Sequence, residues 1–389
     1  MKAVYYVGYN VFPFGFAQTQ RELLISKGLV ELGCKVTVLC RYGTYGSARK
    51  HVPASGVFEG VNYKYASGNA HRSDSFIKRN IVKAFGAFNE VLSLVTAKLT
   101  GNLDAILITT NTFGSVLLYT ILGKILFTQT IIDNTEYWTA VKRHKNAFGD
   151  EMYDKYSYRL ASKVICISDF LMDVSRKGKS EAKLLKIPCI VDFAKFTDVK
   201  PGPEINAPYF LFCGSAVYYP VIEFIIDSFN QLNDNHYNLI LVSSNGAQSD
   251  YQRITDKIAA SDKKHLIHFK SNISYDELVG LYQHGFALLI PLRETSEDTA
   301  RFPHKIGEYC ASKRPIVSTA FGEVVNYFQS GVNAYLSERF NTADFAATLQ
   351  LAIASPTQTE EIAKASYHTG RENFDYKACG QKVYNFIYQ

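Results

Sequence analysis

Residues 301–323, RFPHKIGEYCASKRPIVSTAFGE, follow the apolar run GFALLIPL (285–292) and run into a second one, PIVSTA (315–320). Pro303 suits a helix start, where backbone amides lack partners anyway, and Pro315 prevents the helix from continuing. The segment therefore reads strand, helix, strand, the unit from which parallel sheets are built. Lys305 and Glu308 stand three residues apart on that helix and share a face. Spacing alone leaves two readings open: a solvated ion pair, or an ammonium and a carboxylate that address a ligand.

The same alternation runs outward in both directions. KAVYYVGYN, CKVTVLCRYG, LDAILITT, QTIIDN, SKVICIS and IPCIVDF read as strands of a first series, with the helix TQRELLISKGLVELG closed by Gly33. After Lys200-Pro201-Gly202-Pro203, the expected linker, a second series follows: APYFLFCGS, YNLILVSS, HLIHFK, GFALLIPL and PIVSTA. Strands apolar along their whole length belong to parallel sheets covered on both faces. The sequence thus predicts an α/β chain with two Rossmann-like, doubly wound parallel-sheet domains facing a cleft. Their expected bounds are 1–196 and 197–374, with a last helix at 375–389 packing back on the first. Ligands of open parallel sheets bind beyond the carboxyl ends of the strands, so candidate residues lie in those loops.

Composition narrows the classes. With 47% hydrophobic and 20% charged residues the 389-residue chain is of globular type. Its opening, MKAVYYVGYNVFP, has too short an apolar run for a signal peptide, which predicts a cytoplasmic location. The apolar stretch from Ala105 to Ile132 is interrupted by Asn111, Gly114, Gly123 and Lys124, and splits into strand, helix and strand rather than a membrane span. Seven scattered Cys without a C-x-x-C pair or a neighbouring His cluster predict reduced, buried thiols and argue against a zinc site.

Charge is unevenly divided. Residues 1–200 carry 27 Lys and Arg against 16 Asp and Glu, a net of +11, while residues 201–389 carry 15 against 20, a net of −5. The basic clusters Lys78-Arg79, Lys142-Arg143-His144-Lys145 and Arg176 to Lys186 read singly as solvated faces and together as an attraction for anionic membrane. FIKRNIVKAFGAFNEVLSLVTAKL (76–99) has apolar residues at helical spacing and basic residues near its start, which fits either a core-packed helix or a membrane-surface helix. No basic-aromatic strip marks a nucleic-acid partner. The loop GYNVFPFGFA lacks G-x-G-x-x-G, which argues against a dinucleotide cofactor.

At this point the residues resemble a family. Residues 301–336 look like the donor-nucleotide segment of GT-B glycosyltransferases, in particular family 4, with its F-P-x-K-x-x-E-Y-x-A pattern. Residues 12–40, 162–173 and 187–196 are similar to the family's first loop and helix, its S-D strand and helix, and its hinge strand. The resemblance implies a GT-B fold and transfer of a sugar from a nucleotide-sugar donor to a hydroxyl acceptor, as in polysaccharide biosynthesis. It further implies retention of anomeric configuration and no bound metal. The matching family residues make Lys305 the diphosphate contact and Glu308 the ribose contact, with Ile306 in the same helical turn. Arg293 and Arg301 are the next candidates for phosphate, against a reading as surface charge. Gly15 and Phe16 follow the first strand where the family's loop approaches the donor, although Gly15 also suits a plain turn.

Phe269 and Lys270 are expected to read the base through their backbone, while Ser274 and Glu277 read as a capping box. Asp133 and Glu136 are candidates to orient or deprotonate the acceptor, against a reading as helix caps. Two departures stand out. Ala300 occupies the place of the family's first Glu, with Glu294, Glu297 and Asp298 nearby as substitutes. Gly214 is retained, but Ser215 and Tyr219-Pro220 stand where basic residues are usual. These departures keep open an inactive GT-B interaction subunit, with a sugar-nucleotide epimerase as another alternative.

Overall fold

The computed structural model describes residues 1–8, 11–46, 52–141, 146–205 and 207–389. The cluster Lys142-Arg143-His144-Lys145 lies outside the described residues. The chain forms two compact units, Met1–Ile190 with Tyr376–Gln389, and Val191–Asp375.

The first unit holds an eight-stranded sheet. Its strands are β1 (Ala3–Val7), β2 (Lys35–Cys40), β3 (Ser55–Phe58), β4 (Val61–Tyr65), β5 (Ala105–Ile108), β6 (Gln129–Asn134), β7 (Lys163–Cys166) and β8 (Leu184–Lys186). Their order is β3-β4-β2-β1-β5-β6-β7-β8, parallel except for β3 against β4. The β3–β4 hairpin escapes the apolar pattern because it lies at the sheet edge. Its two-residue turn, Glu59-Gly60, has positive φ at both positions, as the twist of a tight hairpin requires.

Strand chemistry follows position. The central β5, AILI, is buried at every residue because helices cover both faces. Val4, Tyr6, Leu23, Ile25, Val36, Val38 and Leu107 share one core with Val383 and Ile387 of the last helix. Fully burying each such side chain contributes about 1.5–3 kcal/mol. That last helix, Tyr376–Tyr388, returns to the first unit and lies against helix Ala17–Glu31. At the crossing a Cβ on Gly380 would stand 2.6 Å from the Cα of Gly28, so the two backbones touch where neither residue has a side chain.

The second unit holds β9 (Tyr209–Ser215), β10 (Asn238–Ser244), β11 (Ile267–Ser271), β12 (Ala287–Leu289), β13 (Ile316–Thr319) and β14 (Tyr335–Ser337). All are parallel, in the order β11-β10-β9-β12-β13-β14. Phe210, Ile222, Ile225, Phe229, Leu239 and Phe345 fill its core.

Two segments differ from the sequence reading. The crossover between units falls at Ile190/Val191, ahead of the Pro-Gly run. Lys200 and Pro201 instead pack on helix Tyr275–His284: Gln283 accepts from the Lys200 amide at 2.8 Å, and a Cβ on Gly280 would meet the Pro201 carbonyl at 2.1 Å. IPCIVDF is no strand beyond a single bridge from Val191 to Asp375. Pro188 has no amide to give a ladder, and the carbonyls of Ile187 and Pro188 accept from Arg21 at 2.9 and 2.6 Å. All seven cysteines are free and buried.

Candidate functional site

In the second unit Gly214 and Ser215 end β9, Arg293, Arg301, Lys305, Ile306 and Glu308 follow β12, and Phe269 and Lys270 lie in β11. His304 stands at the N-cap of the helix Lys305–Ala311 but its side chain does not cap it, and the amides of Ile306 and Gly307 already donate to the carbonyls of Pro303 and His304. Two of the amides expected to be free at this helix start are thus used by its own tight first turn. The side chains carry the chemistry instead. Lys305 Nζ lies 2.7 Å from Glu308 Oε2, with 28% of the lysine side chain and 6% of the glutamate exposed. The Tyr275 hydroxyl donates to Glu308 Oε1 at 3.3 Å.

Electrostatics bind this pair into one object. Burial works to raise the Glu308 carboxyl, but the Lys305 ammonium outweighs it and holds the group below the ordinary carboxylate range. Burial likewise works to lower Lys305, and the Glu308 charge overcomes it and raises the ammonium's pKa. Both groups therefore stay charged at neutral pH. The solvated surface pair that spacing permits is instead a mostly buried one, with an ammonium edge left to solvent.

Arg293 and Arg301 are held differently. Asp298, 1% exposed, accepts from Arg293 Nε at 2.8 Å and also bonds Arg301, while Glu297 accepts from Arg293 at 3.0 Å and Arg301 at 3.3 Å. Burial opposes the Asp298 charge, but hydrogen bonding from Arg293 and the nearby Arg301 hold its pKa below the usual value. Two cations and two carboxylates thus cancel locally, which weakens the case for either arginine as a phosphate ligand. Two of the proposed replacements for the missing Glu are used in this network. Glu294 is exposed on the loop, and Ala300 is buried. Tyr218 joins them: its ring lies under Arg301 at 4.5 Å and its hydroxyl bonds the same guanidinium.

Gly214 and Ser215 end β9. The Gly214 carbonyl accepts from Ser243 at 3.0 Å, and the Ser215 hydroxyl donates to the Asn245 carbonyl at 2.6 Å while capping Val217. Phe269 and Lys270 lie on the edge strand β11. Ser274 caps its helix by accepting from the Glu277 amide at 3.1 Å, while the Glu277 carboxylate pairs with Lys270 at 3.0 Å.

In the first unit, Gly15 precedes the helix Ala17–Glu31, whose N-cap, Phe16, is 57% exposed and makes no side-chain cap. A Cβ on Gly15 would stand 2.0 Å from Thr19 Oγ1, so the turn admits only glycine. Asp133, at the end of β6, is enclosed. Its oxygens receive Arg21 at 2.9 Å and the Tyr6 hydroxyl at 2.8 Å, and its side chain has no exposed surface. Burial, then the Asp133 charge, push the Tyr6 phenol far above its ordinary value, so it remains a donor. This carboxylate serves the interior and offers no open face to an acceptor. Glu136, three residues on, is partly exposed.

Sequence reasoning brought Lys305 and Glu308 together and missed Tyr275, Tyr218, Tyr6 and Arg21. Tyr275 follows the recognised cap Ser274 and was within reach of the same logic. Arg21 carried no local signal, because its partner lies 112 residues away. Among the described residues no three His, Cys, Asp or Glu come together as a possible metal site.

Comparison with known proteins bears on the fold and the family. Residues 195–369, most of the second unit, match the family described as Glycosyl transferases group 1. A glycosyltransferase from Rickettsia africae is similar in fold, with a TM-score of 0.73 at 15% identity over 99% of this chain and 98% of that one. HepE from Anabaena in complex with UDP-glucose gives 0.70 at 14% identity over 100% and 99%. Sucrose-phosphate synthase from Thermosynechococcus elongatus gives 0.73 at 15% over 99% and 98%. No curated protein sequence matches significantly. The chain thus has the GT-B fold of these solved structures, and its second unit carries the match to Glycosyl transferases group 1.

Proposed function

We propose that the chain moves a sugar from a nucleotide-sugar donor to an acceptor hydroxyl with retention of configuration and without a metal ion. The observation that carries this reading is the buried Lys305–Glu308 pair. A charge pair of this kind costs desolvation and is weak evidence of stability for its own sake, which favours a role in ligand binding. On donor binding the Lys305 ammonium turns to the diphosphate, and Glu308, steadied by Tyr275, accepts two ribose hydroxyls. The acceptor oxygen attacks the anomeric carbon on the face from which phosphate departs. The carbon–phosphate-oxygen bond breaks, the new glycosidic bond forms, and the acceptor proton passes to the leaving phosphate. Lys305 opposes the charge that grows on that phosphate.

From the first unit the reading takes Gly15 and Phe16 at the start of their helix for the donor phosphate, and Glu136 rather than Asp133 for orienting the acceptor. The acceptor is a glycan, a lipid-linked sugar or a small molecule. The enzyme works in the cytoplasm, with its basic first unit against anionic membrane. UDP is the first nucleotide to test, since the similar HepE is bound to UDP and to UDP-glucose. Thermal shift with UDP, GDP, ADP, CMP and dTDP should show stabilisation by one of them. Lys305→Met and Glu308→Gln should each weaken that stabilisation, turnover should survive EDTA, and the product anomer should match the donor. Intact binding and turnover in Lys305→Met would sink the assignment. The displaced arginines and Ala300 support the second reading, a binding-only subunit, which predicts no stabilisation by any nucleotide.

A further inference from the structure

The helix Phe76–Leu99 is rich in apolar residues, yet only Gly86, Glu90, Leu94 and Ala97 of it are buried. A groove of about 610 Å3 separates it from the sheet face of Tyr5, Thr37 and Leu39, so little of its apolar surface enters the core. Polar contacts hold it. The fully buried Glu90 accepts from Arg41 at 2.7 Å and from the Tyr119 hydroxyl of the neighbouring helix Phe113–Ile125 at 2.8 Å. Glu90 and Tyr119 thus mark the inward sides of two adjacent helices.

On the side opposite Glu90, Ile77, Ile81, Phe85, Phe88, Leu92 and Leu99 are each at least half exposed. Their spacing keeps them on one stripe of the helix. Ile121, Ile125 and Phe127 continue the apolar surface on the neighbour, and Lys98 joins the two ends by a 3.3 Å bond to the Phe127 carbonyl. The charge here has one sign. Lys78, Arg79, Lys83, Lys98 and Lys124 are the basic residues of these helices, and Glu90, inside on Arg41, is their one acidic residue.

We propose that these two helices form a face that lies on an anionic lipid bilayer. The apolar stripe enters the boundary between headgroups and acyl chains, and the exposed Lys78 and Lys124 beside it meet lipid phosphates, while Arg79 and Lys83 lie toward the Glu90 side. The charge selects this occupant over a second copy of the chain, whose equally basic face would repel it. The contact is superficial: among the described residues no helix is long and apolar enough to cross a membrane. This deepens the location part of the transfer reading and favours a lipid-linked acceptor. It is tested without catalysis.

The full chain is sedimented with vesicles of phosphatidylcholine alone, or with roughly one third phosphatidylglycerol. Binding to the anionic vesicles should be at least about tenfold stronger and fall with salt. Ile77→Ser/Ile81→Ser/Phe88→Ser should lower partition by about tenfold or more, and Lys78→Glu/Lys124→Glu should remove the anionic preference. Melting temperature and nucleotide shift should remain unchanged in both variants, since the altered residues are on the surface. Wild-type failure to bind anionic vesicles overturns the proposal. So does a wild-type dimer in sedimentation equilibrium that the triple Ser variant dissolves. Vesicle binding without any nucleotide shift would leave this face standing and remove the transfer reading alone.

Discussion

Lys305 Nζ and Glu308 Oε2 stand 2.7 Å apart on one helix, and the pair is more buried on the glutamate side than on the lysine side. The asymmetry matters: the carboxylate is fixed by Lys305 and Tyr275, while the ammonium keeps an edge from which it can exchange partners.

Removing one partner should cost more than removing both. Lys305→Ala leaves Glu308 buried without its cation, an expected loss of about 1–3 kcal/mol, whereas Lys305→Ala/Glu308→Gln should recover part of it. Urea denaturation of the two single variants and the double variant measures the coupling. Strict additivity would show that the pair does not stabilise the fold.

Acid should act through Glu308. Its folded pKa lies below the ordinary 4.5, so its contribution is present above that value and is lost as pH falls through the folded one. Stability of the wild type and Glu308→Gln, followed by chemical denaturation from neutral pH downward, should converge in that acid window. Curves that stay parallel would exclude the linkage.

Glu22 should act in the opposite sense. It is fully buried on helix Ala17–Glu31, neither carboxyl oxygen has a hydrogen-bond partner among the described residues, and burial, then Asp133, raise its pKa far above 4.5. Stability from this group is complete below 4.5 and falls as pH rises toward the folded value, because the unfolded chain ionises first. Glu22→Gln should therefore raise the melting temperature at pH 7, with the gain vanishing near pH 4. A lower melting temperature at pH 7 would contradict this.

Asp133→Asn should be a stability variant rather than a catalytic one. It strips Arg21 of its buried counter-charge, at an expected cost of about 3–5 kcal/mol. Turnover per folded molecule should stay near wild type below the melting transition. A fully folded variant with lost turnover would return Asp133 to catalysis.

Gly380→Ala should loosen the last helix from the first unit, since its methyl meets the Gly28 backbone at 2.6 Å. Overpacking of this kind costs about 1–3 kcal/mol. Limited proteolysis should release the segment Tyr376–Gln389 sooner than in the wild type.

The sequence alone determined the alternation of strands and helices, because apolar runs of strand length and helical spacing are local properties of the chain. RFPHKIGEYCASKRPIVSTAFGE shows this: its helix, its flanking strands and the shared face of Lys305 and Glu308 all follow from spacing. Tertiary structure decided which charges remain available. Arg293 and Arg301 are drawn onto Glu297 and Asp298, and Asp133 onto an arginine 112 residues away, because a buried charge must find a partner wherever the fold brings one. It also decided the fate of helix Phe76–Leu99. The period shows that one side is apolar; only its packing shows that this side faces out.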